Sequence, residues 1–221
     1  YDCITDDDGN QHEKPKPKDK PYNWIGLIEF KDKFDEIMDF YKNKPYMIRR
    51  SRGYAPLPFM TSTDWKGQVL AVGGELKNTF CIGVDSRFYP SPYVGDLEDL
   101  RTVKALQETI HRFQTLLEVK PQAVVCDLHP KYNSTVIAKE FGYPMIQVQH
   151  HYAHILSCMT ENDCQEPVIG VSFDGTGYGT DGTIWGGEIL LCDYRNFHRL
   201  GSIEPFVQVG GDTSAKEGWR I

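Results

Sequence analysis

The chain has 221 residues and a net charge of −7, from 24 basic and 31 acidic side chains. That length can bury one large domain, or one and a half small ones. The acidic balance argues against a nucleic-acid partner, which needs a dense basic face, and no apolar run approaches the ~18–20 residues of a membrane span.

The polar, acidic start does not read as a signal peptide. Six cysteines (Cys3, Cys81, Cys126, Cys158, Cys164 and Cys192) are scattered without C-x-x-C spacing. That is the usage of free, buried thiols rather than of a secreted disulfide frame, and it points to the cytoplasm. Residue 1 is Tyr, and the chain stops at Trp219-Arg220-Ile221 in what reads as a helix start. Both ends are therefore expected to be cuts in something longer.

Residues 1–20 are charged, alternate Lys with Pro and carry no apolar period, so a linker is expected there. WIGLIEF reads as a strand, and Phe34, Ile37, Met38 and Tyr41 then fall at helical spacing. Together, residues 1–46 are expected to be a linker and the remnant of an upstream domain. Gly53, Pro56 and Pro58 punctuate the next stretch, and residues 47–64 are expected to form an extended connection.

From Trp65 the pattern changes. QVLAVGG, NTFCIGV and RFYPSPYVG read as three strands. Residues 97–118 follow as an amphipathic helix, with Leu97, Leu100, Val103, Leu106, Ile110, Phe113 and Leu117 on one stripe. AVVCDL has the apolar run of a strand buried on both faces. Then come a helix over Tyr132–Phe141, the strand PMIQVQ and a helix over His150–Asn162. The order β-β-β-α-β-α-β-α is complete, giving a first unit over residues 65–163.

PVIGVSFDGTGYGTDGTIWGGEILLCDY then repeats the opening: an apolar strand, a glycine-rich turn and a second strand, with a possible third over 197–206. Residues 164–221 are thus expected to begin a second, incomplete unit. Periodicity alone gives an α/β class. Two such ribonuclease-H-like units resemble the duplicated architecture of the actin-like, sugar-kinase-like ATPases.

Five clusters can carry chemistry. In Gln149-His150-His151-Tyr152-Ala153-His154 the i, i+4 pair His150 and His154 shares a helix face, and two imidazoles can meet one divalent ion. His151 with His154, at i, i+3, is geometrically possible too. An arbitrary HxxxH is more often a surface cluster, but this one follows an apolar strand directly, where α/β sites form. In Phe173-Asp174-Gly175-Thr176-Gly177-Tyr178-Gly179-Thr180-Asp181-Gly182, Asp174 is the expected third ligand. The amides of Gly175, Gly177 and Gly179, with Thr176 among them, could cradle an anion, and a plain hairpin is the alternative.

Gly73, Gly74 and Lys77, in a turn that lacks the phosphate-loop pattern, could contact phosphate or serve hairpin geometry alone. Asp127 and His129, just past a buried strand, could bind phosphate or move a proton, unless His129 is simply a loop residue beside a capped helix. Arg49, Arg50 and Arg52 could attract phosphate, though a solvated linker explains them as well. No GxSxG marks a serine hydrolase.

IRRSRGYAPLPF, AVGGELKNTFCI, YVGDLED, CDLHPKYNST, QVQHHYAHILSCM and SFDGTGYGTDGTIWGGE, in that order from about Met47 to Ile221, closely resemble the hydrogenase maturation carbamoyltransferases. The resemblance implies an enzyme whose upstream domains make carbamoyl-adenylate from carbamoyl phosphate and ATP, with Mg. Its last domain passes the carbamoyl group to the C-terminal cysteine thiol of a carrier protein, on the way to the cyanide ligands of [NiFe]-hydrogenase. It further implies that His150, His154 and Asp174 hold a metal, and two imidazoles with a carboxylate suit iron or zinc alike.

Threonylcarbamoyl synthases and antibiotic O-carbamoyltransferases share the HxxxH but match less of the rest. A small-molecule kinase and an inactive metal-binding fragment are the remaining alternatives. The acylphosphatase-like domain, the paired C-x-x-C fingers and most of the adenylate-forming domain do not appear in this sequence.

Overall fold

In the computed structural model the described residues are 3–5, 11–13 and 57–207. The strand and helix expected between residues 24 and 43, the arginines at 49–52 and the helix start near Trp219 lie outside them. The chain divides into two compact units, Tyr1–Arg49 and Arg50–Ile221. In the first, β1 (Cys3–Thr5) pairs antiparallel with β2 (Gln11–Glu13), inside the stretch expected as linker.

The second unit is built on a six-stranded sheet. Its strands are β3 (Phe59–Met60), β4 (Gln68–Ala71), β5 (Cys81–Val84), β6 (Arg87–Pro90), β7 (Ala123–Asp127) and β8 (Met145–Val148), in the order β3-β6-β5-β4-β7-β8. β4, β5 and β6 form an antiparallel meander, while β7 and β8 add parallel to β4. Parallel neighbours need crossovers, and helices supply them. These are α1 (Leu100–Leu116), between β6 and β7, and α2 (Asn133–Glu140), between β7 and β8. β3 differs from expectation: two residues of the supposed connection join the sheet edge beside β6, just after the prolines that suggested irregular chain.

One face of this sheet carries the larger core. Leu70, Val72, Phe80, Ile82, Val124 and Cys126 pack against Leu106, Ile110, Phe113 and Ile137 of the helices. Leu100, expected on the apolar stripe, is instead 80% exposed, because the helix begins there and its first turn precedes the packed face. In β7, Val124 and Cys126 are fully buried while Ala123 and Val125 are half-buried. That alternation is milder than burial on both faces.

α3 (His150–Glu161) does not cross back to the first core. It packs on a second, three-stranded antiparallel sheet, β13-β12-β9, formed by β9 (Val168–Ser172), β12 (Glu188–Cys192) and β13 (Phe197–Ser202). Tyr152, Ile155 and Met159 of the helix meet Trp185, Leu190 and Cys192 there. Gly170 permits the close approach, since a Cβ at that position would run into the Ile155 side chain. Between β9 and β12, a small hairpin of β10 (Gly177–Tyr178) and β11 (Ile184–Trp185) sits inside the glycine-rich stretch.

Candidate metal centre

Three strand ends converge. Asp127 closes β7, Gln149 follows β8 and starts α3, and Asp174 lies two residues beyond β9. Residues past the carboxyl ends of parallel strands face open space at the sheet edge, which is where α/β sites assemble. Helix α3 then sets His150 and His154 one turn apart on one face.

The side chains meet. His150 Nε2 lies 2.7 Å from Asp174 Oδ2 and 3.2 Å from His154 Nε2, and His154 Nε2 is 3.5 Å from Asp174 Oδ2. Each residue offers a ligand atom within 4.8 Å of the others. Tetrahedral ligands at ~2.0–2.1 Å from one ion would sit about 3.4 Å apart; the 3.2 and 3.5 Å separations suit a small divalent cation, while the 2.7 Å one is a direct hydrogen-bond contact that an ion would have to spread.

Behind the trio, Asp127 Oδ2 is 2.6 Å from His150 Nδ1, and its Oδ1 accepts the His129 N–H at 2.8 Å. Both ring nitrogens of His150 thus face a carboxylate, Asp127 at Nδ1 and Asp174 at Nε2; with a metal in place of the Nε2 contact, the Asp127 hydrogen bond would raise that nitrogen's basicity as a ligand. The Asp127 hydrogen bond accordingly pushes the His150 pKa up against the opposing effect of burial. His154 moves the other way: burial, then the neighbouring His150, lowers its pKa. Both tendencies come from the same crowding and fall on opposite members of the pair.

The other expected residues have more local duties. The alternative pair of His151 with His154 does not form, because His151 is fully buried and turns toward the Asp174 backbone. The His129 ring stacks on Tyr132 at 4.0 Å and meets Tyr178 edge-on at 5.2 Å; its peptide N–H, rather than its ring, contacts Asp127. Gly74 passes close to the His150 ring, with room for a Cβ 3.8 Å from Cε1. Gly73 has φ +78°, and a Cβ there would clash with the Thr79 carbonyl, so it serves the turn.

Lys77 is exposed, and its N–H donates to Asp96 at 2.6 Å. The loop brings its own anion instead of an open cradle. Glu75, which sequence reasoning passed over, accepts the Asn133 N–H and side-chain amide, each at 2.7 Å, at the start of α2.

In the glycine-rich stretch, the Gly175 N–H donates to Asp174 Oδ1 at 2.9 Å and helps aim that carboxylate. Thr176 is exposed. The Gly179 N–H is given to Thr183 O at 2.8 Å, within the hairpin, so it does not point at a ligand. Asp181 ties the same hairpin through Thr183 and Trp185. A cleft of about 880 Å³ opens on the far side of Asp174, lined among others by Phe173, Gly175, Trp185, Arg199, Ile203 and Phe206. Neither His150 nor His154 lines it.

The chain is similar to known proteins along most of its length. The family described as HypF Kae1-like domain matches residues 64–161, and the second subdomain of the carbamoyltransferase Kae1-like domain matches residues 170–221. Carbamoyltransferase HypF of Rhizobium leguminosarum bv. viciae is 37% identical over 85% of this chain and 24% of its own length. The Synechocystis protein of the same name is 40% identical over the same shares.

Two solved structures resemble the fold. Full-length HypF in a phosphate- and nucleotide-bound form has a TM-score of 0.75 at 44% identity, over 78% of this chain and 23% of that one. HypF of T. kodakarensis has a TM-score of 0.74 at 40% identity, over 81% and 24%. The chain spans about a quarter of the length of the curated relatives it matches first. On these matches the chain belongs to the HypF carbamoyltransferase family and carries residues of its Kae1-like domain.

Proposed function

We propose that this chain is the metal-bearing part of a carbamoyltransferase acting in hydrogenase maturation. Its substrate would be carbamoyl-adenylate, and its acceptor the C-terminal cysteine thiol of a carrier protein whose thiocarbamate is later dehydrated toward a cyanide ligand. The observation that carries the reading is the meeting of His150, His154 and Asp174 at one point with Asp127 behind His150, in a chain similar to named carbamoyltransferases over most of its length.

The donor set fits a divalent ion, iron or zinc, since imidazole and carboxylate suit both. Bound there, the ion would supply Lewis acidity to a phosphate oxygen of the adenylate. The chain's own residues do the rest. Asp127 holds the Nδ1 proton of His150 and keeps its Nε2 facing the site. Gly175 fixes the Asp174 carboxylate through its N–H. The cleft beyond Asp174 has a volume within the range of small-molecule sites and could receive the nucleoside part. None of Cys81, Cys126, Cys158, Cys164 and Cys192 is among the residues that meet at the site, and on this reading the nucleophile comes with the partner. Transfer would form the carbamoyl–sulfur bond, break the acyl–phosphate bond and release AMP, the thiol proton going to solvent.

An antiparallel meander followed by two parallel strands, and then a second meander, supports two ribonuclease-H-like units of the actin-like class. On this reading, adenylate formation from carbamoyl phosphate and ATP, with Mg, belongs to domains upstream of the region matched here, and the enzyme works in the cytoplasm. No helix among the described residues is long and apolar enough to cross a membrane.

The test is His154→Ala in the complete enzyme, given preformed carbamoyl-adenylate and the carrier. Metal content should drop and thiocarbamate formation should fall at least ~100-fold; normal transfer without bound metal would refute the reading.

A further inference from the structure

The buried polar chain beside the trio has only one consistent set of proton positions. Gln149 caps α3: its Oε1 accepts the Tyr152 N–H at 2.9 Å. On the other side, its Nε2 faces the Tyr178 carbonyl at 3.3 Å and His151 Nδ1 at 3.1 Å. An amide reversed end for end would set oxygen against a carbonyl and NH₂ against an N–H, so neighbours on both sides fix its orientation. With its two hydrogens directed at Tyr178 O and at His151, Gln149 requires Nδ1 of His151 to be an acceptor.

A neutral ring that accepts at Nδ1 carries its hydrogen on Nε2. That nitrogen faces the backbone carbonyl of Asp174 at 3.3 Å. The ring is fully buried, as is nearly all of Gln149, so water does not compete for these bonds. The loop also approaches the ring closely: a Cβ at Gly177 would stand 2.7 Å from His151 Cε1 and 2.8 Å from Nδ1. His151 is therefore held from one side by the helix cap and covered on the other by the loop that presents Asp174.

We propose that His151 is a positioning residue, locked by Gln149 in its Nε2–H tautomer, whose N–H clasps the Asp174 carbonyl and sets that carboxylate opposite His150 and His154. The assignment of Asp174 as a ligand rests on the metal reading above; the tautomer does not. The role also explains why two adjacent histidines at the head of one helix do different work. His150 and His154 share the face that meets the site, while His151 points about 100° around the helix into the loop.

Two measurements test it. In the ¹⁵N-labelled full chain without metal, long-range ¹H–¹⁵N correlations of the His151 ring should show an unprotonated Nδ1 and a protonated Nε2. A protonated Nδ1, or exchange between tautomers, overturns the proposal whether or not metal ever binds. Cobalt(II) binding, followed by its visible absorbance, then reads the consequence. His151→Gln keeps an acceptor and a donor and should bind within ~3-fold of the parent. His151→Leu should bind ~10–100-fold more weakly, as supporting groups around metal ligands generally do. If His151→Leu keeps the parent's circular dichroism and the parent's affinity, the positioning role is wrong. If the parent itself binds no cobalt, the metal reading fails, and the tautomer measurement still decides the rest.

Discussion

The two sheets meet the site on unequal terms. The first closes one face with α1 and α2 over an extended core, and it delivers Asp127 from the end of a strand paired on both sides. The second is three strands deep. It buries one face under α3, while Ile169, Val171, Ile189 and Leu191 on the other remain exposed among the described residues. From it Asp174 arrives not on a strand but on a glycine-rich loop, held by His151 and Gly175. One side of the metal centre is thus set by a packed core, and the other by a few hydrogen bonds. Packing of the first kind is costly to disturb, whereas the second can be adjusted by single polar contacts.

The sharpest way to break that contrast is to empty one position in each core. Phe80 is 1% exposed and meets Phe113 edge-on at 5.1 Å. Phe80→Ala should destabilise the chain by about 3–5 kcal/mol in denaturant unfolding. Leu190 is equally buried, but its strand has one open face toward which neighbours can relax. Leu190→Ala should cost about 2 kcal/mol, near the low end for such changes. Equal losses, or a larger one at Leu190, would mean that the second sheet is as firmly built as the first.

Sequence reading found the elements on both sides of that division. Apolar runs located β4, β5, β6, β7 and β8 in the first sheet and β9, β12 and β13 in the second, and helical spacing located the three helices of the described residues, because period follows burial in each core. Ends were read long, as with QVLAVGG for Gln68–Ala71. What failed was tertiary. Nothing in the period of α3 says that it turns to the second sheet, and nothing in the prolines before Phe59 says that β3 pairs with β6. At the site, His150, His154 and Asp174 were legible from spacing and from position after strands. His151 was read only as an alternative partner for His154, and Gln149 only as the first residue of the motif, since their importance lies in which way a buried amide faces. The polar Gln between an apolar strand and the first helical residue was the available signal, as a cap.

A second, smaller prediction concerns what holds the second sheet in the absence of a large core. Glu188 is fully buried and paired bidentately with Arg199, at 2.6 and 3.0 Å, while the guanidinium lies 4.3 Å from the Trp185 ring centre. Removing one partner of a buried pair costs about 3–5 kcal/mol because a charge is left unpaired. Arg199 keeps 35% of its side chain in solvent, which screens part of that, so Arg199→Met should cost about 2–3 kcal/mol. The double variant Glu188→Leu with Arg199→Met should recover most of it in the same unfolding assay. Failure to recover would show that the Trp185 contact, rather than the charge pair, carries the stability.

The least disruptive test separates the hairpin from the metal side of the loop. Asp181 Oδ1 accepts from the Thr183 hydroxyl at 2.7 Å, and from the Thr183 N–H and Trp185 Nε1–H at 3.0 Å each. These bonds, those from Thr183 foremost, hold its pKa down at about 2 from the ordinary 3.8. Because the folded value is depressed, the contribution to stability is complete above the unfolded value of 3.8 and is lost as pH falls through about 2. The Trp185 indole N–H resonance should therefore stay in place as pH drops past 3.8 and move only on approaching about 2; in Asp181→Asn that movement should vanish. A shift centred on the ordinary value would mean that the carboxylate is not tied to the hairpin. The Gly179–Thr183 turn would then stand on its backbone bonds alone, and the loop carrying Asp174 would depend still more on His151.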